Sequence, residues 1–287
     1  MKSKVAFIVP VFTYKNDCYQ NENFKKFRKL NIWYDNMFVI ELAFGDSQFR
    51  IPESEKFIRL RADKNTVIWQ KERLINIAIK KIPKKFEYIS WVDADIIFSH
   101  PLTDWAIADR LQKHSVIQLF ETVRQLDERG CTYKVHNNCF VDERKGWTGY
   151  GWAIRRDVLN KIGGLFDYHI TGNGDCLLAG AFTGNLKNIS QRTLNNCSHL
   201  KKLYTDYYKL CQKHITSASY LKDRQIEHLY HGNYNRKYEF REKLLERFNF
   251  NPSSDLKTDV KTGLLQWSAN KKLRGEVLSY HNTMYNR

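Results

Sequence analysis

Two aspartates stand one residue apart inside the apolar run Trp91-Val92-Asp93-Ala94-Asp95-Ile96-Ile97-Phe98. An apolar run of this length is typical of a buried strand, and buried carboxylates are rare unless they are paired or bind a metal. Oxygen ligands favour hard divalent ions, Mg²⁺ or Mn²⁺, which commonly also hold substrate phosphates. Asp93 and Asp95 are therefore predicted to bind a divalent cation, with an Asx-rich turn as the alternative.

A third carboxylate follows a glycine-rich turn, Thr171-Gly172-Asn173-Gly174-Asp175, at the start of an apolar helix. The turn places one acidic group at a helix N-terminus. Asp175 is therefore a candidate functional carboxylate, and a simple helix N-cap is the alternative.

Two histidines occur late in the chain, in His228-Leu229-Tyr230-His231-Gly232. Imidazole commonly binds transition metals, and Mn²⁺ accepts one imidazole beside carboxylates. Both histidines are candidate ligands, and His231 is preferred because the glycine after it permits a close approach of the backbone. The alternative is a pair of surface histidines.

Glycine and aromatic residues are concentrated in Gly146-Trp147-Thr148-Gly149-Tyr150-Gly151-Trp152, which predicts an irregular segment. Aromatic rings on such a backbone suit a flat, hydroxylated ligand such as a sugar. The alternative is a loop whose rings pack onto the core.

The candidate residues must be positioned by regular structure. The apolar runs of the chain and the periodicity of its apolar residues predict alternating strands and helices. The predicted strands cover residues 5–9 (ended by Pro10), 38–43, 57–60, a run from 88, and 115–120. The predicted helices cover residues 67–82, a helix from 101, 155–162 with a glycine cap at 163–164, a helix after the third carboxylate, and 235–248. Their alternation predicts a single α/β domain with a mostly parallel central sheet flanked by helices. Such sheets bind ligands at the carboxyl ends of their strands, where the aspartate pair lies.

The composition excludes a disordered chain and limits the classes of partner. Of the 287 residues, 42% are hydrophobic, which is ample for a core. The net charge of +16 attracts polyanions such as nucleic acids, anionic membranes and phosphate-bearing small molecules. The basic residues are scattered and mixed with acidic ones, without a long basic block or zinc-finger spacing, so a specific nucleic-acid-binding segment is not predicted.

The cysteines and the absence of targeting signals bear on the compartment. Six cysteines are widely spread without a Cys-x-x-Cys pair, which is typical of reduced packing residues. The sequence shows no recognisable signal peptide and no apolar stretch of transmembrane length. We therefore expect a cytoplasmic protein, with peripheral contact to a membrane as a hypothesis based on the charge.

The order of these signals resembles that of the GT-A glycosyltransferases, metal-dependent enzymes that use nucleotide-sugar donors. Asp93-Ala94-Asp95 is similar to their Asp-x-Asp motif, and Gly174-Asp175 to the acidic motif that carries the catalytic base of inverting members. The His-Gly segment is similar to the late histidine that completes the metal shell. Gly174-Asp175 departs from the commoner Glu-Asp form. The resemblance covers residues 4 to 245.

The resemblance implies a hexosyl- or pentosyltransferase that uses Mn²⁺ or Mg²⁺. It would move a sugar from a UDP- or GDP-sugar to a hydroxyl of a glycan or glycoconjugate. Asp95 would be the main metal ligand, and Asp93 would be shared among metal, ribose and donor sugar. Asp175 would be the general base of an inverting reaction, although a retaining route stays open if it only positions the acceptor.

The same resemblance implies the remaining contacts and a division of the chain. The implied donor-binding residues are Pro10, Val11, Phe12, Asp63, Lys71, Arg73, Asp93 and Ala94, of which Lys71 and Arg73 have a solvated helix charge as the alternative. The implied acceptor-binding residues are Trp147, Tyr150, Gly151, Trp152 and Gly174. Residues 1–98 would form the nucleotide-sugar-binding half, 99–248 the acceptor-binding and catalytic half, and 249–287 a helical or irregular tail.

Two other classes compete with this interpretation. A nucleotidyltransferase or sugar-nucleotide pyrophosphorylase can share a nucleotide-binding sheet and an acidic metal site, but the segment 9–14 lacks the glycine of their phosphate loop. A basic nucleic-acid-binding protein would explain the charge. Binding with a steep salt dependence and no need for Mn²⁺ or a nucleotide sugar would favour that class.

Overall fold

The computed structural model describes residues 4–13, 18–30, 36–54, 56–64, 67–186, 194, 197–232 and 238–285. The strands are β1 (Val5–Thr13), β2 (Met37–Phe44), β3 (Phe57–Ala62), β4 (Tyr88–Val92), β5 (Ile96–Phe98), β6 (Val116–Gln118), β7 (Thr122–Leu126), β8 (Thr132–Asn137), β9 (Gly151–Arg155), β10 (Ala218–Tyr220), β11 (Gln225–His228), β12 (Leu256–Thr258) and β13 (Leu265–Trp267). The helices are α1 (Cys18–Leu30), α2 (Lys71–Lys81), α3 (Asp104–Lys113), α4 (Arg156–Lys161), α5 (Gly174–Thr183), α6 (Ser198–His214), α7 (Tyr238–Arg247), α8 (Pro252–Asp255) and α9 (Lys271–Tyr285).

The main sheet has the strand order β10-β6-β9-β4-β1-β2-β3. Every neighbouring pair is parallel except the two pairs of β9, which is antiparallel to β4 and to β6. The prediction of an α/β fold with a mostly parallel sheet is confirmed. β4 lies in the middle of this sheet, so the aspartate pair that follows it leaves the sheet at its centre.

Both faces of the sheet are covered, which explains why its strands are almost continuously apolar. Along β1, Ala6 and Ile8 belong to a core that also contains residues of α2, α5 and α6. Phe7 and Val9 point the other way, into a core with residues of α1 and α3. The alternation of side chains along the strand therefore separates two apolar layers.

β1 continues through Pro10 to Thr13, so the prediction that this strand ends at the proline is wrong. Phe7 N donates to Asn36 O on the β2 side, and alternation along the strand then turns the Pro10 nitrogen toward β4. β4 pairs with β1 only as far as Ile8. The proline therefore removes none of these pairing hydrogen bonds, which is the condition under which a strand tolerates it.

Several element boundaries differ from the prediction. α2 begins at Lys71 rather than at residue 67, and α3 begins only after Thr103, whose hydroxyl caps it by accepting from Ala106 N at 3.2 Å. The glycine cap after α4 is confirmed, since Gly163 and Gly164 have φ of +78° and +96°. Residues 151–152 are not irregular but form the start of β9.

A second sheet, with the order β5-β11-β7-β8, was not predicted. Its strands are short, and three of them (β7, β8 and β11) contain a charged residue, so these three lack an apolar run. β11 pairs antiparallel with β5 and parallel with β7. Because β5 directly follows the aspartate pair, this sheet brings the end of β11 to the end of β4.

The C-terminal segment folds back onto α2. The hairpin β12–β13 reaches Gln70, whose side-chain amide donates to Leu265 O at 3.2 Å while its oxygen accepts from Leu265 N at 2.7 Å. Leu273 and Val277 of α9 lie in the same core as α2. α7 lies within the predicted helix 235–248, of which residues 235–237 fall outside the described part. Among the described residues, no helix has the length and apolar character needed to cross a membrane.

Candidate active site

Asp95 lies between two imidazoles at the carboxyl end of β4. Its Oδ2 is 3.4 Å from His228 Nε2 and 4.0 Å from His231 Nε2. The pairing of β5 with β11 sets this geometry: His228 is opposite Ile96, and Leu229 N donates to Asp95 O at 2.9 Å. One ligand atom from each of the three side chains lies within 4.8 Å of the other two.

The donor set of this cluster fits a divalent transition metal. Imidazole is a common ligand of transition metals, and a carboxylate binds these ions as well as harder ones. Asp95 Oδ1 is buried, with no hydrogen-bond partner among the described residues, as expected of an atom whose partner is an ion. Burial alone would raise the pKa of Asp95, but His228 and His231 outweigh it and hold that pKa well below its usual range.

Asp93 pairs with a lysine and not with the two histidines. It forms an ion pair with Lys71 Nζ at the start of α2. Its Oδ2 accepts from Tyr150 N at 3.3 Å, and its own N donates to Tyr150 O at 2.8 Å. Burial raises the pKa of Asp93, and Lys71 opposes that rise. The two aspartates thus have different partners, since only Asp95 belongs to the group with the histidines.

The ammonium group of Lys71 interacts electrostatically with several carboxyl groups. Burial would lower its pKa, but Asp93, Asp175 and Glu72 outweigh burial and raise it above the usual range. Lys71 therefore carries a positive charge at neutral pH. The expected alternative for Lys71, a solvated helix charge, does not fit an ammonium buried in an ion pair.

Arg73, two residues further along α2, points away from the aspartates. Its Nη1 pairs with Asp167 Oδ2 at 2.9 Å, and its Nε donates to Gly263 O at 2.7 Å. Nη2 donates to Thr258 Oγ1 at 2.5 Å. The guanidinium thus fastens the C-terminal hairpin to α2, and this geometry does not support the predicted contact with a donor diphosphate.

Asp175 occupies the first turn of α5. The residue before this helix, Asn173, adopts a left-handed conformation with φ +79°, and Gly174 follows it as the first helical residue. Asp175 Oδ1 accepts from Cys176 N at 2.9 Å. Its Oδ2 lies 2.6 Å from the position that a Cβ on Gly149 would occupy. The carboxylate therefore reaches the aromatic segment only because residue 149 has no side chain.

The aromatic segment has two parts with different surroundings. Trp147 stacks on Tyr150, with 5.5 Å between ring centroids, and the Tyr150 ring lies 4.8 Å from that of His228. Tyr150 has φ +74°, a conformation uncommon for a residue with a side chain. These two rings connect the histidine cluster with the Asp175 side of the site.

Tyr150 is 6% exposed, and the other two predicted acceptor residues of this segment also lie in the core. Trp152 is 1% exposed, packs against Phe182 and donates from Nε1 to Thr148 O at 2.8 Å. Gly151 is a buried residue of β9, opposite Val92 of β4. Neither presents a surface to an acceptor, because the second half of the segment is a central strand.

The remaining donor candidates line the end of β1 and its surroundings. Pro10 and Val11 are buried, and Phe12 stacks on Trp69 with 4.9 Å between ring centroids. Ala94 is half-buried between the two aspartates, whereas Asp63 is exposed just after β3. Their contacts with a donor stay predictions.

Two buried carboxyl groups near the site were not predicted. Glu41, in β2, accepts from Thr13 Oγ1, from Arg50 N at 2.8 Å and from Ile51 N at 3.1 Å, and so fastens the loop after β2 to the end of β1. Glu72, in α2, is 4% exposed. In the sequence Glu72 stands among charged residues at a helix start, a pattern that is typical of solvated side chains.

No family model matches the chain, and no curated protein is significantly similar to it in sequence. The catalytic domain of Drosophila beta1,4galactosyltransferase 7 in complex with xylobiose is similar in structure, at 8% identity and TM-score 0.45 over 95% of this chain and 98% of that chain. S. aureus TarS 1-349 in complex with UDP is 12% identical, with TM-score 0.45 over 98% of this chain and 72% of that chain. The mannosyltransferase PcManGT from Pyrobaculum calidifontis in complex with GDP-Man and Mn²⁺ is 12% identical, with TM-score 0.42 over 87% and 63%. Similarities as distant as these carry no functional argument, so the assignment of function depends on the site itself.

Proposed function

We propose that this chain is a metal-dependent glycosyltransferase of the GT-A type, which moves a sugar from a nucleoside diphosphate donor to an acceptor hydroxyl. The observation that carries the proposal is the convergence of Asp95, His228 and His231 at the carboxyl end of the central strand β4. Ligands of open, mostly parallel sheets bind at this end. The donor is a UDP- or GDP-sugar and the acceptor a hydroxyl of a glycan or glycoconjugate.

The donor set supports Mn²⁺ over Mg²⁺, because two of the three ligands are imidazoles. A dication held there would neutralise negative charge that develops on the leaving diphosphate. The Lys71 ammonium, buried beside Asp93, adds a fixed positive charge to the same region. Such preorganised charge stabilises a developing anion more strongly than water does.

Asp175 is the proposed general base. The proton of the acceptor hydroxyl passes to its carboxylate while the hydroxyl oxygen bonds to the anomeric carbon. The bond from that carbon to the diphosphate oxygen breaks, and the diphosphate leaves with the electron pair. Attack opposite the leaving group inverts the anomeric configuration, and a base of this kind contributes about 10²- to 10⁴-fold to the rate.

The indole of Trp147 is the proposed acceptor platform, supported by the stacked ring of Tyr150, which is 6% exposed and so offers little surface of its own to an acceptor. It lies beside Gly149, whose missing side chain leaves Asp175 Oδ2 close to the same segment. Aromatic faces suit the apolar faces of sugar rings. We place the acceptor on Trp147, with its reacting hydroxyl directed to Asp175.

The proposal is tested by incubating the protein with a panel of UDP-, GDP- and TDP-sugars, in Mn²⁺ or in Mg²⁺, with and without glycan acceptors. The expected result is Mn²⁺-dependent release of the nucleoside diphosphate. Asp95→Asn should abolish this release, whereas Asp206→Asn, at an exposed position of α6, should leave it unchanged.

Two outcomes would contradict the proposal. Full turnover by Asp95→Asn would remove the metal site from the reaction. Formation of pyrophosphate and a nucleotide sugar from a nucleoside triphosphate and a sugar phosphate, without any sugar transfer, would instead assign the site to a nucleotidyltransferase.

A further inference from the structure

The carboxyl group of Glu72 occupies the space that a side chain on Gly174 would need. A Cβ on Gly174 would lie 2.4 Å from Glu72 Cδ and 2.6 and 2.7 Å from its two carboxyl oxygens. Real Cβ atoms do not approach other atoms this closely. Gly174 is not among the residues with positive φ, so its backbone would accept an L residue. A side chain at this position would therefore force the buried Glu72 carboxyl to move, whereas the local chain conformation sets no requirement for glycine.

Glu72 and Asp175 belong to one group of charges. Glu72, Asp93 and Asp175 all act electrostatically on Lys71. Three ionised carboxylates around one buried ammonium would leave a large uncompensated negative charge. Burial raises the pKa of Glu72 to about 8, although Lys71 opposes that rise, so Glu72 holds its proton at neutral pH. A neutral acid can pack against α5 without repelling Asp175.

The first turn of α2 thus contacts both sides of the site. Lys71 pairs with Asp93 after β4, and the next residue, Glu72, contacts Gly174, the residue before Asp175. α2 is a well-packed helix whose Leu74, Ile75 and Ala78 are fully buried. It is therefore a rigid support for the first turn of α5.

We propose that Glu72 is a positioning residue for Asp175: its buried carboxyl packs on Gly174, fixes the first turn of α5 and so sets where the Asp175 carboxylate points. This inference rests on the proposed function, in which Asp175 takes the acceptor proton. It gives Glu72 no contact with substrate. Its effect reaches the reaction only through Gly174 and Asp175.

The test is a double-mutant cycle of Glu72→Ala and Gly174→Ala, measured as kcat, as KM for the donor and as Mn²⁺ affinity. Displacing a catalytic group by about 1 Å can cost about 100-fold in rate, so each single variant should lower kcat by at least about tenfold. KM for the donor and Mn²⁺ affinity should change by less than about threefold, because Asp95 and the histidines stay in place. The double variant should be at least as active as Gly174→Ala, since Glu72→Ala removes the atoms that the new Cβ would meet.

Glu72→Gln supplies the conservative rescue. Glutamine keeps the shape of the side chain and is neutral, so it should recover most of the rate lost in Glu72→Ala. Gly275→Ala is the matched glycine control, because nothing lies within 4 Å of a Cβ at that position; its kcat should equal that of the wild type.

Three results would overturn the proposal: an unchanged kcat in Glu72→Ala, losses of kcat in the two single variants that multiply in the double variant, or a Glu72→Gln variant as slow as Glu72→Ala.

A second readout separates this proposal from the proposed function. The peptide-resolved alkylation rate of Cys176, which lies in the same turn as Asp175 and is half-buried, should rise in both single variants in a non-additive way. If the two substitutions are non-additive in the alkylation rate but additive in kcat, the contact between Glu72 and Gly174 is only structural, and the positioning role is rejected. Absence of sugar transfer by the wild-type protein would reject the proposed function instead, and the alkylation cycle would still report on the contact.

Discussion

His228 Nε2 lies 3.4 Å from Asp95 Oδ2, and the Tyr150 ring packs beside the same imidazole at 4.8 Å between centroids. The histidine reaches this position because β11 pairs with β5, the strand that directly follows the aspartate pair. Main-chain pairing, and not a local sequence motif, therefore places the imidazole on the carboxylate.

Both histidines are expected to contribute to metal binding. His228→Ala and His231→Ala should each weaken Mn²⁺ binding by more than about tenfold, since even outer groups of a metal site contribute about 10- to 100-fold. Calorimetric titration with Mn²⁺ measures this directly. His199→Ala, at an exposed position of α6, is the control. Unchanged affinity in either site variant would remove that histidine from the ligand set.

Asp175→Asn is expected to separate binding from transfer. The amide keeps the shape of the side chain but cannot take a proton, so transfer should fall by about 10²- to 10⁴-fold while donor affinity stays within about twofold. Single-turnover transfer rates and donor titration give the two quantities. An unchanged transfer rate would show that Asp175 is not the base, and a product with retained anomeric configuration would support the retaining route.

Gly149→Ala should lower kcat without lowering stability. The new Cβ would lie 2.6 Å from Asp175 Oδ2, and the end of that flexible side chain must turn away. Because this movement displaces the proposed base, we expect the reaction rate to fall by about tenfold or more. Thermal unfolding should match that of the wild type. A wild-type kcat in this variant would contradict the placement of the Asp175 carboxylate against the segment 146–150.

Trp147→Ala should raise KM for the acceptor more than KM for the donor. Its indole stacks on Tyr150 and forms the outer face of the proposed acceptor platform, so its loss removes contact area for a sugar ring. Trp105→Ala is a suitable control, since Trp105 is 73% exposed on α3. An equal change in both KM values would place Trp147 outside the acceptor site.

The stability of the fold should decrease below neutral pH because of His281. Burial lowers the pKa of this histidine in α9 to about 4, whereas an unfolded histidine titrates at about 6.5. Between these values the unfolded chain binds a proton that the folded chain does not, so the free energy of unfolding falls as pH decreases from about 6.5 to about 4. The part due to His281 is on the order of 3 kcal/mol across that window.

Denaturant unfolding at pH 7.5 and at pH 5 measures this effect. His281→Leu should show a smaller loss of stability between the two pH values than the wild type, because leucine does not titrate. His199→Ala should show the same loss as the wild type. An equal loss in His281→Leu would mean that other groups account for the acid sensitivity.

The local features of the sequence were sufficient to predict the central strand and the position of the two aspartates after it. Trp91 and Val92 before Asp93, and Ile96 after Asp95, form an apolar run that predicted a buried strand leading into the carboxylates, and the structure divides this run into the end of β4, a turn and the start of β5. The periodicity of residues 67–82 predicted α2, although too early at its start, and the glycines at 163–164 predicted the cap of α4, because helix and cap preferences depend on near neighbours. The end of β1 was predicted wrongly at Pro10, because the tolerance of a strand for proline depends on which neighbouring strand the proline nitrogen faces.

By itself, the sequence determined that an α/β sheet presents two aspartates at the end of a strand, because burial and periodicity are properties of adjacent residues. Only the tertiary structure decided that Asp95 belongs to the two histidines and Asp93 to Lys71. It also moved Trp152 into the core and set Glu72 against Gly174. Each of these relations joins elements distant in the chain, and the pairing of strands and the packing of helices that create them leave no trace in local spacing.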